Sequence, residues 1–346
     1  MNDALRSPIL MAVDRFPRFE FLSWKTPVER QPNLSRKLGI ELHVKRDDLT
    51  GLAFGGNKVR QLEIYFGKAL AEGADTVLIT GAVQSNYVRT AAACAARLGM
   101  ECCIQLEERV SNVDEIYRTS GNVLLSELLG ATIHSYPSGE DEEGADRRLT
   151  ELAEELSQQG RRPFVIPLSG RNLPLGSLGY IRAAAELLSQ IEPPEHVVLA
   201  SGSGYTHAGL LFGLRSLGWT GTVHGICVRR SAALQHQRIE DHCERIAEML
   251  DVENPVKRDD IRLSDDVLAP GYGVMSEAVS DAIRICARLD GLITDPVYTG
   301  RAMAGLFERV RDGSLPQRCT TVFVHTGGLP ALFAYAPGLH RSLVTQ

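Results

Sequence analysis

With 346 residues, 44% apolar and 23% charged, the chain is long enough for one large or two medium folding units and has the composition of a soluble globular protein. A net charge of −6 with acids and bases interspersed offers no footing for nucleic acid or an anionic membrane, and no apolar run nears the ~18 residues of a membrane span. The start, MNDALRSPILMAVDRFPRFEF, has no basic stretch leading into an unbroken apolar core, so no signal peptide is read there; seven cysteines without a C-x-x-C pair read as reduced thiols, which makes a cytoplasmic protein the expectation.

The first informative stretch is GLAFGGNKVRQLE (51–63), a glycine turn opening onto a helix with Lys58 at its mouth. A helix dipole makes a positive charge unwelcome there. An amine used neutral, or bonded covalently, escapes that penalty. Val59, Leu62, Phe66 and Leu70 recur at helical spacing and Gly73 ends the segment. TVLIT (76–80) reads as a buried strand, followed by GAVQSN and an alanine-rich helix to Leu98. CCIQL is the next strand, with Cys102 and Cys103 on opposite faces. A helix around 121–129, the strand ATIHSY, a charged helix over 145–159 and PFVIPL follow. The acidic YPSGEDEEGADRR (136–148) is expected as a surface loop, and the charge runs EDEEGADRR and KRDD as solvated faces.

The second half repeats the rhythm. HVVLAS (196–201) runs into GSGYTHAG and a helix; TVHGICV runs into a helix over 231–250. A helix near 276–289, YTGRAMAGLFERV, and the strand TTVFVH (320–325) before TGGLPALFAY complete the pattern. Strands alternating with helices predict parallel sheets covered on both faces, with ligands at the carboxyl ends of the strands. The glycine turns fall there.

GSGYTHAGL has the form of an anion site at a helix start, phosphate being the usual guest; a plain tight turn is the bland alternative. It also allows a nicotinamide-nucleotide site, with Gly202 and Gly204 in place, His207 where a third glycine belongs, and Arg229-Arg230 ending the next strand. In GAVQSNYVR, Ser85 and Asn86 can hold a carboxylate at a helix start, or simply cap the helix. Tyr272 and Tyr298 each sit in a Pro/Gly turn off any periodic apolar face. His236 and His242 are six apart, the wrong spacing for a helical ligand pair, so no metal is expected. An amine in a glycine turn, a phosphate-type loop and hydroxyls at strand ends are together the parts of a pyridoxal-phosphate site, in which a lysine forms a Schiff base with the aldehyde.

GGNKVRQLE, GAVQSNYVRTAAACAARLGM, SGSGYTHAGL, APGYGV, DPVYTGRAMAGL and FVHTGGLPALFAY resemble, in order and spacing, the D-cysteine desulfhydrase and 1-aminocyclopropane-1-carboxylate (ACC) deaminase family. That family belongs to the tryptophan-synthase-β-like, fold type II, pyridoxal-phosphate enzymes. The resemblance spans about residues 14–340. It implies an α/β protein with two open, mainly parallel sheets covered by helices, a large cofactor domain (1–60 and 172–346) and a smaller inserted domain (61–171), usually as a homodimer. Lys58 matches the Schiff-base lysine and Asn57 the asparagine beside the cofactor's 3′-oxygen. Gly202, Ser203, Gly204, Tyr205 and Thr206 match the phosphate loop. Ser85 and Asn86 match the pair that receives the substrate carboxylate, and Tyr272 and Tyr298 match two active-site tyrosines.

Two positions separate the branches. The deaminase branch carries glutamate and leucine where this chain has Thr299 and Thr326, as in the desulfhydrase branch. A threonine hydroxyl facing the ring nitrogen leaves the ring neutral, enough to expel a good β-leaving group but poorer for opening a cyclopropane. Three positions depart from the desulfhydrases: Tyr205 replaces a small residue, Tyr87 a histidine, and Arg171 a small or polar residue. Arg171 is either a surface arginine on a loop or, where it reaches the pocket, a partner for a second anion on the substrate, as L-cysteate, handled by sulfo-lyases of this family, would supply. The expectation is a carbon–sulfur lyase acting on a small cysteine-like amino acid. ACC deaminase and a nicotinamide-dependent oxidoreductase or non-catalytic nucleotide-binding module are the alternatives.

Overall fold

The computed structural model describes residues 7–170 and 172–344, so Arg171 lies outside the described residues. In chain order the strands are β1 (Val28–Arg30), β2 (Glu41–Lys45), β3 (Thr76–Ala82), β4 (Glu101–Glu107), β5 (Thr132–Tyr136), β6 (Pro163–Ile166), β7 (His196–Ser201), β8 (Thr222–Cys227), β9 (Arg262–Ser264) and β10 (Thr320–Val324). They form a six-stranded sheet, β1-β2-β10-β7-β8-β9, and a four-stranded sheet, β5-β4-β3-β6. Every pairing is parallel except β1 with β2, the two open sheets expected from the sequence.

Side-chain alternation explains how the smaller sheet is covered. Leu78 and Cys103 point to one face, where Leu149 and Leu152 of the helix Glu142–Gln158 pack on them. Val77, Ile79, Cys102 and Ile104 join the main core with Ala91, Ala92 and Ala95 of the helix Asn86–Leu98. All seven residues of β3 are buried, as a central parallel strand requires. The helix Ser177–Leu188 packs closely on the helix Lys58–Ala71; a Cβ on Gly179 would stand 2.0 Å from the Arg60 carbonyl oxygen. That contact anchors the lysine-bearing helix.

Several sequence expectations need correction. β1 and β2 escape a hydrophobic reading because VER and ELHVK are short and charged. The helix expected over 145–159 starts at Glu142, so 136–148 is not all loop: the Asp141 carboxylate accepts from Gly144 N at 2.8 Å and caps the helix. Nor are the charge runs simply solvated. In the first KRDD, Lys45 and Asp47 are buried, Asp47 bonded to Arg60, Thr26 and Tyr180. Glu142 is half-buried and paired with Arg229, Arg230 and Arg238.

Candidate active site

A cleft enclosing about 830 Å³, its open mouth included, lies where the carboxyl ends of β3, β4, β7, β8 and β10 converge.

Lys58 reaches this cleft because two glycine turns touch. Gly56 (φ 114°) and Gly327 (φ 94°) approach so closely that a Cβ on Gly327 would lie 2.7 Å from the Gly56 Cα. Asn57 N donates to the Thr326 carbonyl at 3.0 Å, locking the lysine turn to the end of β10. From the helix after β3, Arg89 donates to the Ala53 and Gly55 carbonyls and holds the same turn from the other side. Lys58 Nζ donates to Gln61 Oε1 at 3.3 Å and stands 5.0 Å from the centroid of the Tyr87 ring. Burial lowers its pKa to about 8, so the amine is readily neutral.

Two helix starts face the lysine. The loop Gly202–Gly204 leads into the helix Tyr205–Ser216, whose first N–H groups have no intrahelical partner. The loop is held from behind: Arg230 donates to the Gly202 carbonyl at 3.2 Å and Arg238 Nε to the Ser203 carbonyl at 2.7 Å. Thr206 Oγ1 accepts from Asn57 Nδ2 and Gln61 Nε2, both at 2.8 Å, which leaves its own proton to donate. At the other start, Ser85 Oγ accepts from Tyr87 N at 3.1 Å and caps the helix. Its hydroxyl proton stays available, so capping and ligand binding are compatible. Asn86 Oδ1 accepts from Asn122 Nδ2 at 3.0 Å.

The structure brings Asn57, Lys58, Ser85, Asn86, Tyr87 and Thr326 into the lining, with Gly202, Ser203, Gly204, Thr206, Tyr272 and Tyr298. The two tyrosine hydroxyls share a hydrogen bond of 2.7 Å. Tyr205 and Thr299 are not in that wall. The Tyr205 ring turns away against His242, centroids 4.9 Å apart, so only its backbone can serve the loop. Thr299 is fully buried, with its hydroxyl donated to Asp295 Oδ1 at 2.6 Å; this differs from a proton aimed into the site, because the Asp295 carboxylate claims it.

Some residues in and behind the cleft wall were not foreseen. Gln61 connects Lys58 to Thr206; Arg109 and Thr80 converge on the buried Glu107; His207 is held neutral by burial, its pKa lowered to about 3. The one available signal for Arg109 is its place two residues beyond the carboxyl end of a parallel strand. Arg229 and Arg230, weighed for a nucleotide phosphate, instead donate to Glu142 Oε1, each at 2.5 Å.

Comparison with known proteins fits this geometry. The PALP family model, pyridoxal-phosphate dependent enzyme, matches residues 20–327. A crystal structure of an ACC deaminase homologue is similar to this chain at 36% identity with a TM-score of 0.88, covering 99% of this chain and 100% of that one. The processed form of threonine deaminase isoform 2 from Solanum lycopersicum matches at 17% identity and TM-score 0.65 over 99% of this chain and 87% of that one. A fungal L-serine ammonia-lyase from Rhizomucor miehei matches at 19% and 0.60, over 88% and 94%. The last two show the shared fold alone.

Proposed function

Because the chain belongs to the pyridoxal-phosphate-dependent enzyme family, with the fold type II architecture, we propose that it is a carbon–sulfur lyase acting by α,β-elimination on a small cysteine-like amino acid. The products would be pyruvate, ammonia and sulfide from D-cysteine, or pyruvate, ammonia and sulfite from L-cysteate. The observation that carries the reading is Lys58: a reachable amine, pKa about 8, set between two helix starts.

The residues fit the cofactor. Lys58 would hold the aldehyde, the N–H groups of the loop 202–206 with the Thr206 hydroxyl would hold the phosphate, and Asn57 stands beside Lys58 for the ring oxygen. When bound, pyridoxal phosphate supplies an electron sink for the charge left at Cα after proton loss. Ser85 and the Asn86 N–H at the start of the helix Asn86–Leu98 would orient the substrate carboxylate. Lys58, in the cleft wall, would carry the α-proton, and the Tyr272–Tyr298 hydroxyl pair can pass a proton across the cleft. The nicotinamide alternative gives way to the family match.

On this reading residues 61–171 form the smaller unit and 1–60 with 172–346 the larger. A cytoplasmic homodimer is part of the proposal. The free, buried cysteines support a reducing compartment, and exposed Ile116, Leu124, Leu128 and Phe333 on neighbouring short helices support association.

ACC deaminase is the second reading, favoured by the 36% identity to the ACC deaminase homologue. One preparation assayed with D-cysteine, L-cysteate, β-chloro-D-alanine and ACC decides between them. Sulfide or sulfite with pyruvate supports the lyase; 2-oxobutyrate from ACC alone would replace it. Lys58→Ala must abolish turnover, and borohydride must fix the cofactor to Lys58 in the wild type.

A further inference from the structure

The cleft wall is cationic to an unusual degree for a site that must hold only a cofactor phosphate and one carboxylate. Lys58, Arg109 and Arg229 line it, and no Asp or Glu among the described residues does. Arg229 is engaged by Glu142 Oε1 at 2.5 Å and by the Gly139 carbonyl at 3.1 Å. Arg109 is held differently. Its Nε and Nη2 both donate to Glu107 Oε2, at 3.0 and 2.7 Å, so a single carboxylate oxygen occupies one edge of the guanidinium. Glu107 is itself fixed, fully buried and accepting from Thr80 Oγ1 at 2.8 Å. Arg109 Nη1 has no hydrogen-bond partner among the described residues, although the side chain is only 6% exposed. The plane is steadied by Tyr272, whose ring centroid is 5.9 Å from Arg109 Cζ.

The two anions every such enzyme must bind already have their own helix starts, at 85–87 and 202–206. Arg109 belongs to neither; it projects from beyond β4, the neighbour of β3, whose turn carries Ser85. An N–H edge open to the cleft gives up its water without compensation when a neutral group displaces it, whereas a sulfonate or carboxylate restores a charge-assisted bond. We propose that Arg109 is the specificity-determining residue of this site, its open Nη1 edge selecting amino acids that bear a second anionic group, sulfonate or carboxylate, on the β-carbon. The proposal rests on the lyase reading above and assigns to Arg109 the task the sequence had suggested for Arg171.

The test compares wild type, Arg109→Gln and Arg109→Lys, each purified with cofactor bound, on cysteate (both enantiomers) and on neutral β-chloroalanine. Removing a buried guanidinium partner should lower kcat/KM for cysteate about a hundredfold or more, chiefly through KM, while β-chloroalanine changes by no more than about threefold. Lysine at 109 should recover part of the loss. A second readout needs no turnover: aspartate should perturb the cofactor absorption of the wild type at far lower concentration than alanine, and Arg109→Gln should erase that difference. Equal losses on both substrates would mean Arg109 serves the α-carboxylate, the phosphate or the fold, and would overturn the proposal. So would a wild type that discriminates against cysteate. Protein with no visible absorption, or inert towards every β-substituted amino acid, would instead sink the lyase reading.

Discussion

Lys58 Nζ stands 5.0 Å from the centroid of the Tyr87 ring and donates to Gln61 Oε1 at 3.3 Å. Neither contact compensates for the water that burial removes, and the pKa of the amine falls to about 8. An ordinary lysine, at ~10.4, is neutral in well under about 1% of molecules at pH 8. Lys58 is neutral in roughly half. In cofactor-free protein the rate of borohydride-trapped aldehyde addition at Lys58, followed by peptide mass, should therefore rise with pH through a midpoint near 8. A midpoint above 10 would contradict the desolvation argument.

Local signals made much of the site legible. Glycine turns at the carboxyl ends of strands, followed at once by helix starts, point to Lys58, Ser85 and the loop 202–206 without any tertiary information. The β-branched runs likewise reveal the parallel strands. What stayed hidden depends on partners far apart in the chain. Nothing in LEERVSN says that Arg109 leans on Glu107 with one edge and leaves the other open. EDEEG looks like solvated charge until the three arginines that surround Glu142 arrive from beyond residue 228. Thr299 reads as a hydroxyl at the mouth of a helix; only the fold shows Asp295 taking its proton.

Asp295 supplies a stability test. Its Oδ1 accepts from Thr299 N at 2.7 Å and Thr299 Oγ1 at 2.6 Å, and Oδ2 from Val297 N and Tyr298 N, both at 2.9 Å. Asp295→Asn turns one acceptor into a donor facing N–H groups in a fully buried place. We expect a loss of about 2–4 kcal/mol in urea unfolding. A loss below about 0.5 kcal/mol would show that the carboxylate does not organise this helix start.

The cysteines give a compartment-independent check. All seven are free and buried, and burial pushes Cys102, Cys227 and Cys286 up to about 12. Thiolate is the reactive form, so a disulfide reagent at pH 8 should modify the folded protein at least about a hundredfold more slowly than the unfolded chain. All seven should react in denaturant. Rapid labelling of one thiol in the folded protein would identify a cysteine that the core does not protect.

Glu142 carries the clearest pH prediction. It lies on the helix that covers the smaller sheet, yet its partners come from the larger one: Oε1 accepts from Arg229 and Arg230 at 2.5 Å each, and Oε2 from Arg238 at 3.1 Å. Burial alone would raise its pKa; Arg238, Arg230 and Arg229 outweigh that and bring it from 4.5 down to about 2. A carboxyl that is more acidic folded than unfolded contributes its stability above the unfolded value and loses it as pH falls through the folded one. The contribution of the site is about 3 kcal/mol at neutral pH, declining from near pH 5 to near pH 2. Glu142→Gln should abolish that component. Its unfolding free energy should fall less steeply with acid than that of the wild type, by up to about one proton in the middle of this window. Near neutrality the same variant leaves three guanidinium groups without their shared anion, and about 3–5 kcal/mol should be lost there. Two features of one curve therefore test one arrangement: a lower plateau and a flatter acid limb. A variant with a lowered plateau but an unchanged limb would mean that Glu142 titrates as an ordinary surface acid, and that the arginines are held apart by something else.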